Sequence, residues 1–163
     1  MEFADPSRTQ MEYALKMLAW LETYAPLTEA LLRVAVGLAL VPHGLRMTFG
    51  FFASTGQPLR NITMLAEYLN KQGYRPGKPL AVATSLTQLV CGPLVALGLL
   101  TRPAMLPIVL FLLVTNVERW RVGRYFWNQL GLEYTLMWTI AAIYVLVHGG
   151  GAYSLDRLFG LDF

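Results

Sequence analysis

Charged and polar positions divide the chain into four long apolar runs, and the lengths of those runs make the first structural statement. Residues 80–100, LAVATSLTQLVCGPLVALGLL, hold 21 positions without a formal charge, and about 20 are needed to cross a hydrocarbon core of ~30 Å. Thr101, Arg102 and Pro103 break that run. Proline fits the first turn of a helix, so the break predicts a tight hairpin into the next span. That span covers residues 104–117 and is closed by Glu118, Arg119, Trp120 and Arg121. Another run extends from Gly131 to about His148, interrupted only by Glu133, and ends in Gly149, Gly150 and Gly151, which cannot sustain a helix. Residues 27–52 are apolar overall but contain Glu29, Arg33, His43 and Arg46. Glu29 and Arg33 are spaced i,i+4 and are expected to pair on one helical face, with Arg33 able to snorkel toward the nearer interface. The pattern predicts an all-α fold, an integral membrane four-helix bundle.

Two shorter stretches are amphipathic. Residues 11–24, MEYALKMLAWLETY, mix Leu15, Leu18, Trp20 and Leu21 with Glu12, Lys16 and Glu22. They suit a helix lying in the membrane interface or one packed on the bundle edge. Residues 59–72 predict a short helix inside the first long loop, after which Pro76 and Pro79 lead back into the bilayer. The chain is thus divided into an interfacial segment, 1–26, and a four-helix domain, 27–163. The first ten residues are polar, without the apolar core of a signal peptide.

Composition narrows the alternatives. Hydrophobic residues make up 55% and charged residues 14% of the 163 positions, against about 25% charged in an ordinary soluble domain. A soluble bundle, the rival fold, would have to bury the uncharged run and its three neighbours within so short a chain. A net charge of +3, with no continuous basic patch, argues against nucleic acid. The single cysteine, Cys91, cannot form an internal disulfide and reads as a small packing residue within its span. With two histidines and no zinc-like spacing, no metal or haem site is expected. If the side bearing both termini is A and the other B, the B loops hold eight Lys and Arg residues and side A five. The positive-inside rule then places B in the cytoplasm and both termini outside. Trp120, Tyr125, Phe126 and Trp127 read as an interfacial aromatic belt on B.

Ionisable groups within spans are costly and are functional candidates by default. A rise of ~1.5 Å per residue puts His43 ~9 Å from side B, Arg46 ~5 Å, Gln88 ~12 Å, Asn116 ~9 Å, Glu118 ~6 Å and Glu133 ~3 Å. All four helices therefore contribute to one polar layer near side B. As a ligand pocket, the layer would use His43 for proton exchange, because its pKa lies near neutrality. Glu133 and Glu118 would balance Arg46 and Arg119, and Gln88 and Asn116 would supply neutral hydrogen bonds. As interhelical glue, the same side chains would satisfy one another. Both readings remain open at this point. His148 falls ~25 Å from side B, too far from His43 for the two to share one haem iron.

The same residues resemble the DoxX family of small four-helix bacterial membrane proteins. LLRVAVGLALVPHGLRMTFG is similar to that family's opening arginine–glycine–histidine–glycine pattern, here Arg33, Gly37, His43 and Gly44. TQLVCGPLVALGLLTRPAML resembles its second-helix signature and arginine turn, with Gln88 where a glutamate is usual. GLEYTLMWTIAAIYVLVHGGGAYSLDRLFG resembles its last helix and glycine-rich ending, here Gly151, Ser154, Leu155 and Asp156. The resemblance implies a four-helix bundle in the bacterial cytoplasmic membrane, in which the Lys and Arg count would put the termini on the periplasmic side. It also links some members to quinol oxidase or thiosulfate:quinone oxidoreductase systems.

The expectation is a membrane subunit that supports quinone-linked redox chemistry beside a catalytic partner. His43 and Glu133 would exchange protons, Arg46 would pair with Glu133, and Gln88, Asn116 and Arg33 would complete the binding set. Quinone is the candidate cofactor. The lipid bilayer and a protein subunit or second copy are the candidate partners. The alternative is a non-enzymatic anchor or assembly subunit whose docking surface is formed by residues 11–24 and 59–72.

Overall fold

A computed structural model describes residues 6–52 and 59–161, with side-chain surroundings from residue 10 onward. Among the described residues the α-helices are α1 (Pro6–Phe49), α2 (Ile62–Lys71), α3 (Gly77–Leu97), α4 (Thr101–Val122), α5 (Leu132–His148) and α6 (Leu155–Phe159). No strand occurs among the described residues. Residues 10–49 of α1, together with α3 and α4, are long and apolar enough to cross a membrane, whereas α5 is an apolar helix of 17 residues.

The structure departs from the expected N-terminal arrangement. Residues 11–24 are neither a separate interfacial helix nor packed on the bundle edge. They are the opening turns of α1, which runs unbroken for 44 residues. Pro26 removes only the backbone bond to the Glu22 carbonyl, and no glycine stands nearby to end the helix. Met11, Leu15, Leu18, Trp20 and Leu21 all remain at least half exposed.

The third helix also shifts, to Gly77–Leu97 in place of the expected 80–100. Gly98 adopts φ +70° and closes it with bonds from its N–H to the Leu94 and Val95 carbonyls, the left-handed cap that glycine accommodates without strain. Inside α3, Thr87–Cys91 form a π-turn in which the Gly92 N–H reaches back to the Thr87 carbonyl. Pro93 explains the widening: it has no N–H, and its ring would press on the Leu89 carbonyl in a regular helix. The extra residue in that turn rotates Gln88 to the inside, where it is 1% exposed. Cys91, in the same turn, is a half-buried free thiol.

Helices α1 and α3 meet at two glycines. A Cβ on Gly37 would lie 2.5 Å from the Gly92 carbonyl oxygen, and one on Gly92 would lie 2.8 Å from that of Gly37. Such close backbone approach is how membrane helices gain packing without a hydrophobic driving force between them. Val36, Leu40, Val95, Met105, Ile108 and Val145 fill the main core. The loop helix α2 is capped by Asn61, whose side chain accepts the Met64 N–H at 2.8 Å. It packs Leu65 and Ala66 against Ala81 of α3. The outward faces carry Leu106, Leu110, Met137, Ile140 and Val147, all exposed. An apolar exterior on that scale matches lipid contact and not water.

Candidate functional site

At the side A end, a buried knot holds the turns together. Arg33 donates from Nη1 to the Val95 and Ala96 carbonyls at 2.8 and 2.7 Å, and from Nη2 to the Tyr153 carbonyl at 2.6 Å. It thereby satisfies the open carbonyls at the end of α3. Asp156 accepts from the Leu100 N–H, the Thr101 N–H and the Thr101 hydroxyl. The expected Arg33–Glu29 pair does not form. The guanidinium turns to backbone acceptors, and Glu29 accepts the Tyr144 hydroxyl at 3.2 Å.

Toward side B, α1, α3, α4 and α5 surround a cavity of about 600 Å³. His43, Arg46 and Gln88 line it, with Thr115, Arg119 and Thr135, and its apolar wall includes Leu40, Phe111, Leu112, Tyr134 and Trp138. Arg46 is 9% exposed and its Nε has no hydrogen-bond partner. The Gln88 Oε1 is likewise buried without a partner. Among the described residues, no Asp or Glu lines this cavity. Gly44 makes the arrangement possible, because a Cβ there would lie 2.9 Å from the Cβ of Gln88. An apolar, aromatic-walled space with a few convergent donors has the makeup of a small-molecule site. Its donors favour a ligand bearing carbonyl, phenol or anionic oxygen.

The other members of the expected layer lie elsewhere. Asn116 donates from Nδ2 to Thr139 Oγ1 at 2.8 Å, between α4 and α5, and does not line the cavity. Glu133 accepts the Trp127 N–H at 3.2 Å, steadying the short turn Trp127–Gln129. The expected Arg46–Glu133 pair is therefore corrected, since among the described residues the ion pair within 4.0 Å is Arg121–Glu118. Glu118 also accepts the Tyr74 hydroxyl at 2.6 Å. That bond, with burial and the carboxylate charge, pushes the Tyr74 phenol above its ordinary value of 10.0. Arg119, unlike these, does line the cavity, and it donates to the Leu130 carbonyl at 3.2 Å. By residue count these groups fall in one half of the bundle, but their side chains take different partners. Arg33 belongs to the opposite end altogether.

The cavity also contains residues that the depth argument overlooks. Tyr134, Thr135 and Trp138 occupy one face of α5, and their spacing at i, i+1 and i+4 was the available signal. Thr101 and Asp156, which fasten the side A end, are separated by most of α4 and all of α5, so no local pattern joins them. Among the described residues, no group of three or more His, Cys, Asp or Glu side chains is placed to hold a metal ion.

No curated protein and no solved structure matches the chain. The model of one family, DoxX, matches residues 28–118, from the apolar part of α1 through most of α4. That stretch is more than half of the chain and carries His43, Arg46 and Gln88, so this protein belongs to the DoxX family.

Proposed function

We propose that the protein is a membrane subunit that binds a quinone-class amphiphile in the side B cavity and supports redox chemistry performed with a catalytic partner. The observation that carries this reading is the convergence of His43, Arg46 and Gln88 on an apolar space walled by Phe111, Tyr134 and Trp138. Arg46 and the Gln88 amide would donate to a carbonyl oxygen of the head group, and the aromatic side chains would flank its ring. Conversion of quinone to quinol takes two electrons and two protons. The partner's redox group would supply the two electrons, and His43, reprotonated from water between transfers, would pass one proton to each reduced quinone oxygen.

In this reading α5 completes a four-helix bundle in the bacterial cytoplasmic membrane, with the termini on the periplasmic side. At ~1.5 Å per residue its 17 residues sit at the short end of spanning helices. Gentle extraction of the full chain, followed by mass spectrometry of the intact particle, tests the reading. The expected result is a stoichiometric quinone whose occupancy falls in a folded Gln88→Leu variant. A particle free of quinone in the wild type would overturn it.

A second reading is favoured by the bare opening turns of α1. Their apolar side chains are exposed on every face, as suits a rod that docks a partner while the bundle acts as an anchor. Removal of residues 11–24 would then release the partner, while cavity variants remain active.

A further inference from the structure

A second cavity, of about 460 Å³, lies at the side A end between Pro26 and Glu29 of α1, Arg102 of α4 and the turn that follows α5. Its chemistry is unlike that of the first. Asp156 contributes to the wall, but both of its oxygens are engaged by Leu100 and Thr101. The charges left facing the space are the carboxylate of Glu29 and the guanidiniums of Arg102 and Arg157. These opposite charges line one cavity without pairing, since the ion pair among the described residues lies at the other end of the bundle.

Glu29 and Arg102 are each held in place by an uncharged partner instead. Glu29 accepts the Tyr144 hydroxyl, and Arg102 donates from Nη2 to the Val147 carbonyl at 2.9 Å. His148 stacks on Tyr144 with ring centroids 3.9 Å apart. Its Nδ1 lies 2.9 Å from the Tyr144 carbonyl, which can only accept, so Nδ1 is the donor in that bond. The glycine turn runs between the charges. A Cβ on Gly149 would lie 3.3 Å from Arg102 Nε, and one on Gly151 would lie 3.5 Å from Glu29 Oε2. Gly149 and Gly151 are two residues apart, so the cationic and anionic groups flank one short turn. Both glycines have positive φ, +77° and +69°, which keeps this wall free of side chains.

We infer that this cavity binds a phosphate–ammonium zwitterion: the phosphate against Arg102 and Arg157, the ammonium against Glu29. The level of the site, where the apolar runs of α1 and α4 begin, is that of lipid head groups. Phosphatidylethanolamine has the required chemistry. The inference is independent of the quinone reading, because the two cavities occupy opposite ends of the bundle.

The test is intact-particle mass spectrometry of the purified full chain in detergent. Dioleoyl-phosphatidylethanolamine, dioleoyl-phosphatidylglycerol and free phosphoethanolamine serve as probes. Wild type is expected to retain the ethanolamine lipid about tenfold better than the glycerol lipid, a difference of ~1.4 kcal/mol. Glu29→Gln should abolish that preference, Glu29→Asp should keep part of it, and Arg102→Gln should weaken both lipids. Displacement by free phosphoethanolamine at matching concentration would support the site with a soluble ligand as its source. Equal retention of the two lipids by wild type, or an unchanged preference in folded Glu29→Gln, would overturn the inference.

Discussion

The carboxylate of Asp156 caps a helix to which it is not connected: its Oδ2 takes both the N–H and the hydroxyl of Thr101, at 2.8 and 2.6 Å. A local N-cap would come from Leu100, which has no side-chain acceptor and stands at φ +50°. The C-terminal segment supplies the missing group, and its Asp156 N–H returns a bond to the Gly98 carbonyl at 2.7 Å. Asp156→Ala would leave the Leu100 N–H and the buried Thr101 N–H and hydroxyl without an acceptor. Hydrogen bonds to a charged group contribute about 1.5–3 kcal/mol each, and we expect a loss at least as large as one of them. Thermal unfolding of the purified chain in detergent measures it, and Asp156→Asn should lose less because one carbonyl oxygen remains.

Gly37→Ala tests the α1–α3 crossing. The new methyl would sit within 2.6 Å of both the Gly92 oxygen and the Ala96 nitrogen, and backbone cannot rotate aside as a side chain can. The helices must separate, at a cost of about 1–3 kcal/mol. A lower midpoint in the same unfolding measurement is the expected outcome, and an unchanged midpoint would contradict the close crossing.

For the side B cavity, His43→Ala should lower quinone-dependent turnover of the partner complex while the bundle keeps its helical content. Gln88→Leu removes a head-group donor and an unpartnered buried oxygen together. It should therefore weaken quinone binding by about tenfold, or ~1.4 kcal/mol, without loss of stability. Titration of quinone against protein fluorescence separates binding from turnover. Full turnover in folded His43→Ala would remove the proton role from that residue.

The Tyr74–Glu118 contact has a signed pH dependence. The phenol's folded-state pKa is raised above its ordinary value of 10.0. Its contribution to holding the loop before α3 against α4 is therefore complete below that ordinary value and is lost as pH climbs through the raised one. The tyrosinate absorbance of wild type minus that of Tyr74→Phe should rise only above pH 10.0. A difference that titrates at the ordinary value would show the bond to be absent in solution.

Much of the architecture was legible in the order of residues because membrane spanning depends on local composition and length. The apolar runs marked α3, α4 and α5, and the Thr101–Arg102–Pro103 break marked their neighbourhood. The ends moved where capping geometry intervened, as when Gly98 closed α3 three residues early. Continuity of α1 through Pro26 was not legible, because a proline removes one backbone bond and whether the helix survives depends on the turns around it.

For the site, the sequence by itself determined depth: rise per residue put His43, Arg46 and Gln88 at the level where the cavity lies. Only the tertiary structure decided facing. Asn116, Glu118 and Glu133 share that level but turn toward Thr139, Tyr74 and the Trp127 N–H. The π-turn before Pro93 rotates Gln88 inward. Arg33 and Asp156 likewise find their partners across turns that no periodicity connects. Depth along a helix follows from counting residues, whereas rotation about its axis is set by which neighbour packs against it, and that is a property of the whole bundle.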